Sequence, residues 1–120
     1  MPFVNTIATF ITRRCFEQIV LDLCLHDLPV KLIGNGGGLV YAPLGPTHQA
    51  IEDISILRTL PKMTILAPCD ANEMRNLIPA TLKWPHPIYI RLTRGDEPII
   101  TQKNRKFVIG KSVIIKKPQD

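Results

Sequence analysis

The hydrophobic pattern changes period along the first third of the chain. Residues 2–7 are apolar and β-prone, which predicts a strand. From Thr9 to Cys24 the apolar positions step by three or four residues, so we predict one helix with a single apolar face. Pro29 breaks this pattern, and the apolar run at 30–33 predicts a second strand. The sequence therefore begins with a strand, a helix and a strand.

The alternation continues through the middle of the chain. Thr47 is the predicted N-cap of a helix that Pro61 ends, and residues 64–66 predict a short buried strand. Asp70 and Glu73 have the spacing of a capping box, which predicts the start of a third helix. Each predicted strand up to this point is thus followed by a helix.

The last part of the chain completes the pattern. Pro79 lies inside the third helix and predicts a kink or an early end. Residues 88–92 alternate in hydrophobicity and predict a fourth strand, and Val108 with residues 113–115 predicts one or two more. Strands and helices in this order are typical of a parallel sheet with helices on both faces. We therefore predict one α/β domain of three layers with a mostly parallel sheet.

Ligands of such sheets bind beyond the carboxyl ends of the strands. Four segments lie there in the predicted fold: 8–13, 34–47, 68–70 and 93–96. The second of these is much longer than an ordinary strand-to-helix loop, and it opens with a glycine-rich run. Leu39 stands where a dinucleotide-binding fingerprint needs its third glycine, so support for nucleotide binding by this loop is weak.

Composition narrows the classes of partner. Fifteen Lys and Arg against ten Asp and Glu give a net charge of +5, and much of the excess lies in residues 103–117. No aromatic platform accompanies this basic end, so we predict a solvated tail and no nucleic-acid partner. The three cysteines match no zinc or redox spacing, and we predict no metal site in this chain. No apolar run reaches the ~20 residues of a membrane helix, and the first residues lack a secretory pattern, so we expect a cytoplasmic protein.

Two polar side chains at the predicted ligand edge stand out by their chemistry. His48 falls in the first turn of the predicted second helix, where the positive helix end favours a neutral imidazole that both donates and accepts. Arg94 follows the fourth strand and suits a phosphate or a carboxylate. A solvent-exposed histidine and a surface ion pair are the alternative interpretations of these two residues. The residues alone therefore indicate a polar, anionic small ligand.

Four blocks of sequence together resemble a known family. They are TFITRRCFEQI at 9–19, GPTHQAIED at 45–53, PCDANE at 68–73 and YIRLTRG at 89–95. In order and spacing they resemble the pyrimidine-binding domain of transketolases and deoxyxylulose-phosphate synthases. The resemblance implies a thiamine-diphosphate-binding fold (the pyrimidine module), incomplete at its N-terminus. Residues 1–100 would form this partial domain, and residues 101–120 a basic extension that begins a linker or a following domain.

The resemblance also implies a cofactor and roles for five side chains. Thiamine diphosphate lies between two modules in this family, and the module absent from this chain would hold its diphosphate through Mg²⁺. Phe10 would stack under the aminopyrimidine, Arg13 resembles an arginine of the synthase branch, and Phe16 would continue the aromatic side of the cofactor site. His48 would be catalytic, hydrogen-bonding the oxygens at the reacting carbon, and Arg94 would bind the substrate phosphate.

Three departures from the family pattern limit these expectations. Leu44 replaces an aspartate that reads a sugar hydroxyl, and Gly36 replaces a histidine found in transketolases proper. The family glutamate that protonates the pyrimidine ring would lie upstream of Met1. We therefore expect a chain that is inactive alone, and whose incomplete sheet makes it oligomeric or poorly soluble.

Three functions remain open at this point. The first is part of a transketolase-like transferase that moves a two-carbon ketol or acyl unit between sugar-type substrates. It would act on a sugar phosphate or a related molecule, as a homo-oligomer or with a chain that carries the diphosphate-binding module. The second is a non-catalytic remnant or interaction module that keeps the fold without the chemistry. The third is an unrelated α/β protein that binds a small ligand.

Overall fold

Four parallel strands form the centre of the computed structural model, which describes residues 1–112 and 114–115. The strands are β1 (Phe3–Ile7), β2 (Lys31–Asn35), β3 (Thr64–Leu66) and β4 (Ile88–Arg91). They lie in the order β1-β2-β4-β3, and every neighbouring pair is parallel. All four predicted strands are present, and the predicted α/β class with a parallel sheet is confirmed.

Both faces of the sheet are apolar, as expected of a parallel sheet covered on both sides. On one face Leu32 of β2 lies beside Tyr89 of β4, and both pack against residues of the helical region between 8 and 24. On the other face Ile33 lies beside Ile90, and this side packs against the helix that follows β3. The sheet is therefore the middle layer of three.

The helical region after β1 is broken. It consists of α1 (Ala8–Ile11), a 3₁₀ turn (Arg13–Cys15), α2 (Phe16–Gln18) and a π-helical segment (Ile19–Cys24). The prediction of one regular helix from Thr9 to Cys24 is therefore wrong. Thr12 leaves the helical conformation with φ −108° and ψ −88°, and its hydroxyl donates to the Ala8 carbonyl at 2.6 Å. The Thr12 backbone N–H donates to the same carbonyl at 3.1 Å, so the hydroxyl shares this helix acceptor, and such side-chain bonds to the carbonyl four residues earlier bend helices.

The helix predicted from Thr47 starts later and is shorter. α3 spans Asp53–Leu57, whereas Thr47 lies in a turn and caps no helix. The reason is a backbone pair further along the chain, because Gly38 and Ala50 exchange two hydrogen bonds of 2.7 and 3.0 Å. Residues bound in this way to another segment cannot donate to the carbonyl four residues earlier. The loop therefore extends past His48.

The helix on the other face begins as predicted. α4 spans Ala71–Leu82, and the Glu73 backbone N–H donates to Asp70 Oδ1 at 2.8 Å. Glu73 Oε2 in turn accepts from the backbone N–H of Cys69 at 2.8 Å, so the cap is reciprocal, as a capping box requires. Pro79 lies inside the helix and does not end it. The predicted capping box is confirmed, and an early end at Pro79 is not observed.

The segment after β4 packs against the sheet without adding to it. Phe107 and Ile109 contact the apolar cluster of β3, β4 and α4. Val108 and residues 114–115 form no strand, so the prediction of strands there is wrong for these positions, while Val113 lies outside the described residues. Among the described residues, no helix combines the length and the apolar character that crossing a bilayer requires.

Asp70 ties this last segment to α4 as well as capping the helix. Its Oδ2 accepts from the backbone N–H groups of Ile100 and Thr101 at 2.8 and 2.7 Å, and its Oδ1 accepts from Thr101 Oγ1 at 2.6 Å. Burial alone would raise the pKa of the Asp70 carboxyl, but these hydrogen bonds and that of Glu73 outweigh it. The pKa of Asp70 is therefore held well below its ordinary value.

The Asp70 charge makes the stability of the fold depend on pH. Its folded-state pKa lies below the unfolded value of about 3.9, so the charge stabilises the fold fully above that pH and less as the pH falls towards the folded pKa. We expect Asp70→Asn to lower the free energy of unfolding near neutral pH. The difference from wild type should shrink as the pH is lowered through about 4. Urea unfolding over this pH range measures it, with Asp22→Asn at an exposed helical position as the control. A difference that is constant with pH would contradict the assignment.

Candidate functional site

The carboxyl ends of the four strands share one edge of the sheet, and two cavities open at this edge. The first, the Phe10 cavity, has a volume of about 310 Å³. Its lining residues are Thr9, Phe10, Arg13, Arg14 and Thr47. The second, the Arg94 cavity, has a volume of about 220 Å³ and is lined by the last residue of β2 and by residues that follow β3 and β4. Each cavity contains at least one of the residues predicted to form the site.

Phe10 and His48 meet although 37 residues separate them in the sequence. Their ring centroids are 5.0 Å apart and the planes are inclined at 63°, which is an edge-to-face contact. One residue earlier in each segment, Thr9 Oγ1 donates to the Thr47 carbonyl at 2.8 Å. The segment after β1 and the loop after β2 are therefore joined side by side at the cavity.

The glycines of this loop are needed for packing against β4. A Cβ on Gly37 would lie 2.7 Å from Arg91 Cζ, and one on Gly34 would lie 2.7 Å from the Tyr89 ring. The Gly37 N–H donates to the Leu92 carbonyl at 2.9 Å, which holds the loop backbone on the end of β4. The glycine-rich run thus has a structural explanation that needs no nucleotide.

A buried carboxylate anchors the far side of the same loop. Asp53, at the start of α3, is 1% exposed, and its Oδ2 accepts from Tyr89 Oη and from Arg91 Nε at 2.8 Å each. Arg91 Nη2 also reaches the Ala50 carbonyl at 3.4 Å. Burial, followed by the bond to Asp53, raises the pKa of Tyr89 above its ordinary value, so the phenol stays a neutral donor. The residues just after His48 are therefore attached to β4.

Arg13 holds the near side of the loop. Its Nη2 donates to the Pro46 carbonyl at 3.0 Å, and its Nη1 forms an ion pair with Glu52 Oε1 at 2.8 Å. These two partners lie on either side of His48 in the sequence. Arg13 thus lines the Phe10 cavity, and its charge is engaged with the loop.

Arg14 also lines the Phe10 cavity, and the sequence did not indicate it. Its guanidinium carbon lies 4.0 Å from the centroid of the Phe10 ring, a cation–π distance. Arg13 and Arg14 follow Phe10 by three and four residues, the spacings at which helical side chains are neighbours, and both line the cavity. The sequence contains both arginines, but no local pattern indicates which of them faces Phe10.

His48 lies in a turn and not in the first turn of a helix, so its predicted placement at a helix end is wrong. Its ring is partly buried, and its Nδ1 lies 2.9 Å from the Thr47 hydroxyl. Among the described residues, its Nε2 has no hydrogen-bond partner. An imidazole held at one nitrogen is oriented and keeps the other nitrogen for a ligand.

Two predicted site residues lie elsewhere. Phe16 packs against the apolar cluster between the sheet and the first helical region, and it does not line the Phe10 cavity. Arg94 is exposed and lines the Arg94 cavity together with Asn35 and Glu97. Within the part of the chain that the structure describes, Arg94 forms no ion pair, so its guanidinium is available to a ligand.

The described residues contain no group of three His, Cys, Asp or Glu side chains that could hold a metal ion. Leu44 is 59% exposed, at the end of a 3₁₀ turn that spans Ala42–Leu44 in the long loop. An apolar side chain at this place can offer no hydrogen bond to a ligand.

The comparisons with known proteins agree with this geometry. The family described as "Transketolase, pyrimidine binding domain" matches residues 1–98. The chain is 39% identical over 111 residues to a subunit of the apulose-4-phosphate transketolase of Phocaeicola vulgatus, covering 92% of this chain and 36% of that protein. It is 41% identical over 121 residues to the 1-deoxy-D-xylulose-5-phosphate synthase of Dictyoglomus turgidum, covering 99% and 19%.

A solved structure described as "Split gene transketolase, inactive beta4 tetramer" has the same architecture. It superposes with a TM-score of 0.84 at 33% identity, covering 97% of this chain and 37% of that one. The chain thus spans about a third of the length of the apulose-4-phosphate transketolase relative and about a fifth of the synthase. By the extent of the family match and the identity to these relatives, the chain belongs to the transketolase pyrimidine-binding domain family.

Proposed function

We propose that this chain supplies the aminopyrimidine-binding part of a thiamine-diphosphate-dependent, transketolase-like transferase. The enzyme would move a two-carbon ketol or acyl unit between sugar-type substrates. The observation that carries the proposal is the Phe10 cavity, where Phe10 and His48 meet at the carboxyl edge of the sheet. Membership of the transketolase family implies dependence on thiamine diphosphate.

The Phe10 cavity suits the pyrimidine half of the cofactor. One wall is the partly buried phenyl ring of Phe10, whose flat apolar face can stack with a heterocycle. The hydroxyl groups of Thr9 and Thr47 add polar atoms to the lining. Two arginines also line the cavity, and their positive charge favours a neutral ring over a protonated one. When bound, thiamine diphosphate supplies the carbon nucleophile that attacks the carbonyl group of the donor.

His48 would hydrogen-bond the oxygens at the reacting carbon. Its Nδ1 is paired with the Thr47 hydroxyl, and its ring edge rests against Phe10, so the imidazole is oriented before a substrate arrives. Such preorganised donors stabilise charge that develops on oxygen during carbonyl chemistry. Arg94, at the same edge of the sheet, would bind the phosphate of the substrate through the N–H groups of its planar guanidinium.

A second chain would complete the enzyme. This chain spans about a third of a relative that is itself called a subunit. We therefore propose a companion that carries the diphosphate-binding module and holds Mg²⁺. Self-association is part of the same proposal, since the split-gene relative is described as a tetramer. The alternative, a non-catalytic remnant, is favoured by Leu44, because this side chain cannot bind a sugar hydroxyl.

Cofactor binding by the assembled protein separates these two functions. The purified chain alone should release no aldose phosphate from a ketose phosphate in the presence of thiamine diphosphate and Mg²⁺.

Mixed with a chain that carries the diphosphate-binding module, the protein should bind thiamine diphosphate, as measured by calorimetry. Phe10→Ala should weaken this binding about tenfold through loss of the stacking surface, and Phe3→Ala on the exposed edge strand is the matched control. Turnover by the chain alone would refute the need for a companion, and an assembly that binds no cofactor would favour the remnant.

The role of His48 predicts a change in turnover without a change in cofactor affinity. In the active assembly, we expect His48→Gln to lower kcat roughly a hundredfold, because an oriented donor to the reacting oxygens is lost. The Kd for thiamine diphosphate should stay within about twofold of wild type, since Phe10 and the cavity remain. His26→Gln, at an exposed position after the first helical region, is the control. Equal losses of kcat and cofactor affinity would instead assign His48 to the cofactor site.

A further inference from the structure

The guanidinium of Arg14 lies over the ring of Phe10. Its guanidinium carbon lies 4.0 Å from the ring centroid, which is van der Waals contact between two flat groups. His48 meets the same ring from another direction at 5.0 Å and 63°. The Phe10 ring is thus in contact with a second planar side chain at the cavity where we place the aminopyrimidine.

The two adjacent arginines of the cavity are held very differently. Arg13 is tied by the Pro46 carbonyl and the Glu52 carboxylate at 3.0 and 2.8 Å. Arg14 makes no hydrogen bond or ion pair with any residue that the structure describes, and its side chain is exposed. Contact with the ring is the interaction that places its guanidinium. Arg14 can therefore move away from Phe10 without breaking an ion pair, whereas Arg13 cannot.

The backbone that carries Arg14 is held firmly. Arg14 lies in the 3₁₀ turn Arg13–Cys15, between the break at Thr12 and the start of α2. Thr12 Oγ1 donates to the Ala8 carbonyl at 2.6 Å, and Cys15 Sγ donates to the Phe10 carbonyl at 3.1 Å. Both bonds connect the turn to the segment that contains Phe10. The backbone of Arg14 thus stays next to the Phe10 ring, whereas its guanidinium group can change position.

We propose that Arg14 is a cofactor-binding residue whose guanidinium packs on the face of the aminopyrimidine that points away from Phe10. In the free chain its guanidinium covers the Phe10 ring, and on binding it moves outward by the thickness of one ring. The neutral aminopyrimidine then lies between Phe10 and the guanidinium. This inference rests on the proposed function, since it concerns the same cavity, and it assigns to Arg14 a contact separate from that of Phe10.

The planar shape of the guanidinium is essential to this role. A guanidinium stacks on an aromatic ring through its flat face, whereas a lysine ammonium offers a charge without a plane. A glutamine amide offers a smaller plane without a charge. Replacing Arg14 by Ala, Gln and Lys therefore separates the effect of the planar shape from the effect of the positive charge.

The test is a binding titration of the purified full chain with 4-amino-5-hydroxymethyl-2-methylpyrimidine, the neutral pyrimidine half of thiamine. Ligand-observed NMR gives the Kd for wild type, Arg14→Ala, Arg14→Gln and Arg14→Lys. Arg14→Ala should weaken binding about threefold to tenfold, as loss of an exposed stacking cation predicts. Arg14→Gln should restore part of the loss, and Arg14→Lys should restore less. Arg105→Ala, at an exposed position after β4, is the control for removal of one positive charge.

A second measurement follows the guanidinium itself. In the free chain the Arg14 Nε–Hε signal should be displaced by the ring current of Phe10, and this displacement should be lost in Phe10→Leu. At saturation with the pyrimidine the signal should remain displaced, because the guanidinium then faces another aromatic ring. A return to the shift of a solvent-exposed arginine would overturn the proposal, since Arg14 would then have left the site.

The outcomes also separate this inference from the proposed function. Binding that requires Phe10 but is unchanged or tightened in Arg14→Ala would overturn the role of Arg14 alone. Binding that is absent in wild type, or unaffected by Phe10→Ala, would overturn the pyrimidine site and the role of Arg14 with it. Weakening in Arg14→Ala with partial recovery in Arg14→Gln supports both.

Discussion

The buried carboxylate of Asp53 is the interaction on which the shape of the site depends. It accepts hydrogen bonds from Tyr89 and Arg91 of β4, one of the two inner strands, and Arg91 in turn reaches the Ala50 carbonyl. Removing either partner would leave a buried carboxylate with fewer hydrogen bonds, so this arrangement has little freedom to shift. The glycine at position 37 lets the loop backbone approach Arg91 closely. The loop that carries His48 is thereby fastened to the middle of the sheet.

The other side of that loop is fastened to the segment after β1, and the two attachments together define the site. Thr9 and Arg13 bind backbone carbonyls just before His48, while Glu52 pairs with Arg13 just after it. An imidazole supported on both sides rests against Phe10 in a defined orientation. This is the arrangement expected of a preorganised site, in which the protein orients its donors before a ligand arrives.

Much of the fold and part of the site could be predicted from the chain. The four strands and the Asp70 cap depend on neighbouring residues, and the family resemblance identified Phe10 and His48, which the structure brings together. The regular helix after Thr9 and the helix from Thr47 were wrong for one reason. Hydrophobic spacing reports which residues are buried, but it does not show where a side chain shares a helix carbonyl or where a distant segment binds the backbone.

The sequence by itself determined the alternation of strands and helices, because periodicity and capping act over a few residues. The tertiary structure alone decided that Arg14, next to Arg13, is the arginine on Phe10, and that the loop continues to residue 52 before α3 begins. Both arginines stand at helical spacing from Phe10, and Arg13 is held by Pro46 and Glu52 from a distant segment. The loop after β2 is held by the Gly38–Ala50 backbone pair. Contacts between residues far apart in the chain form only when the sheet brings them together, so no local pattern records them.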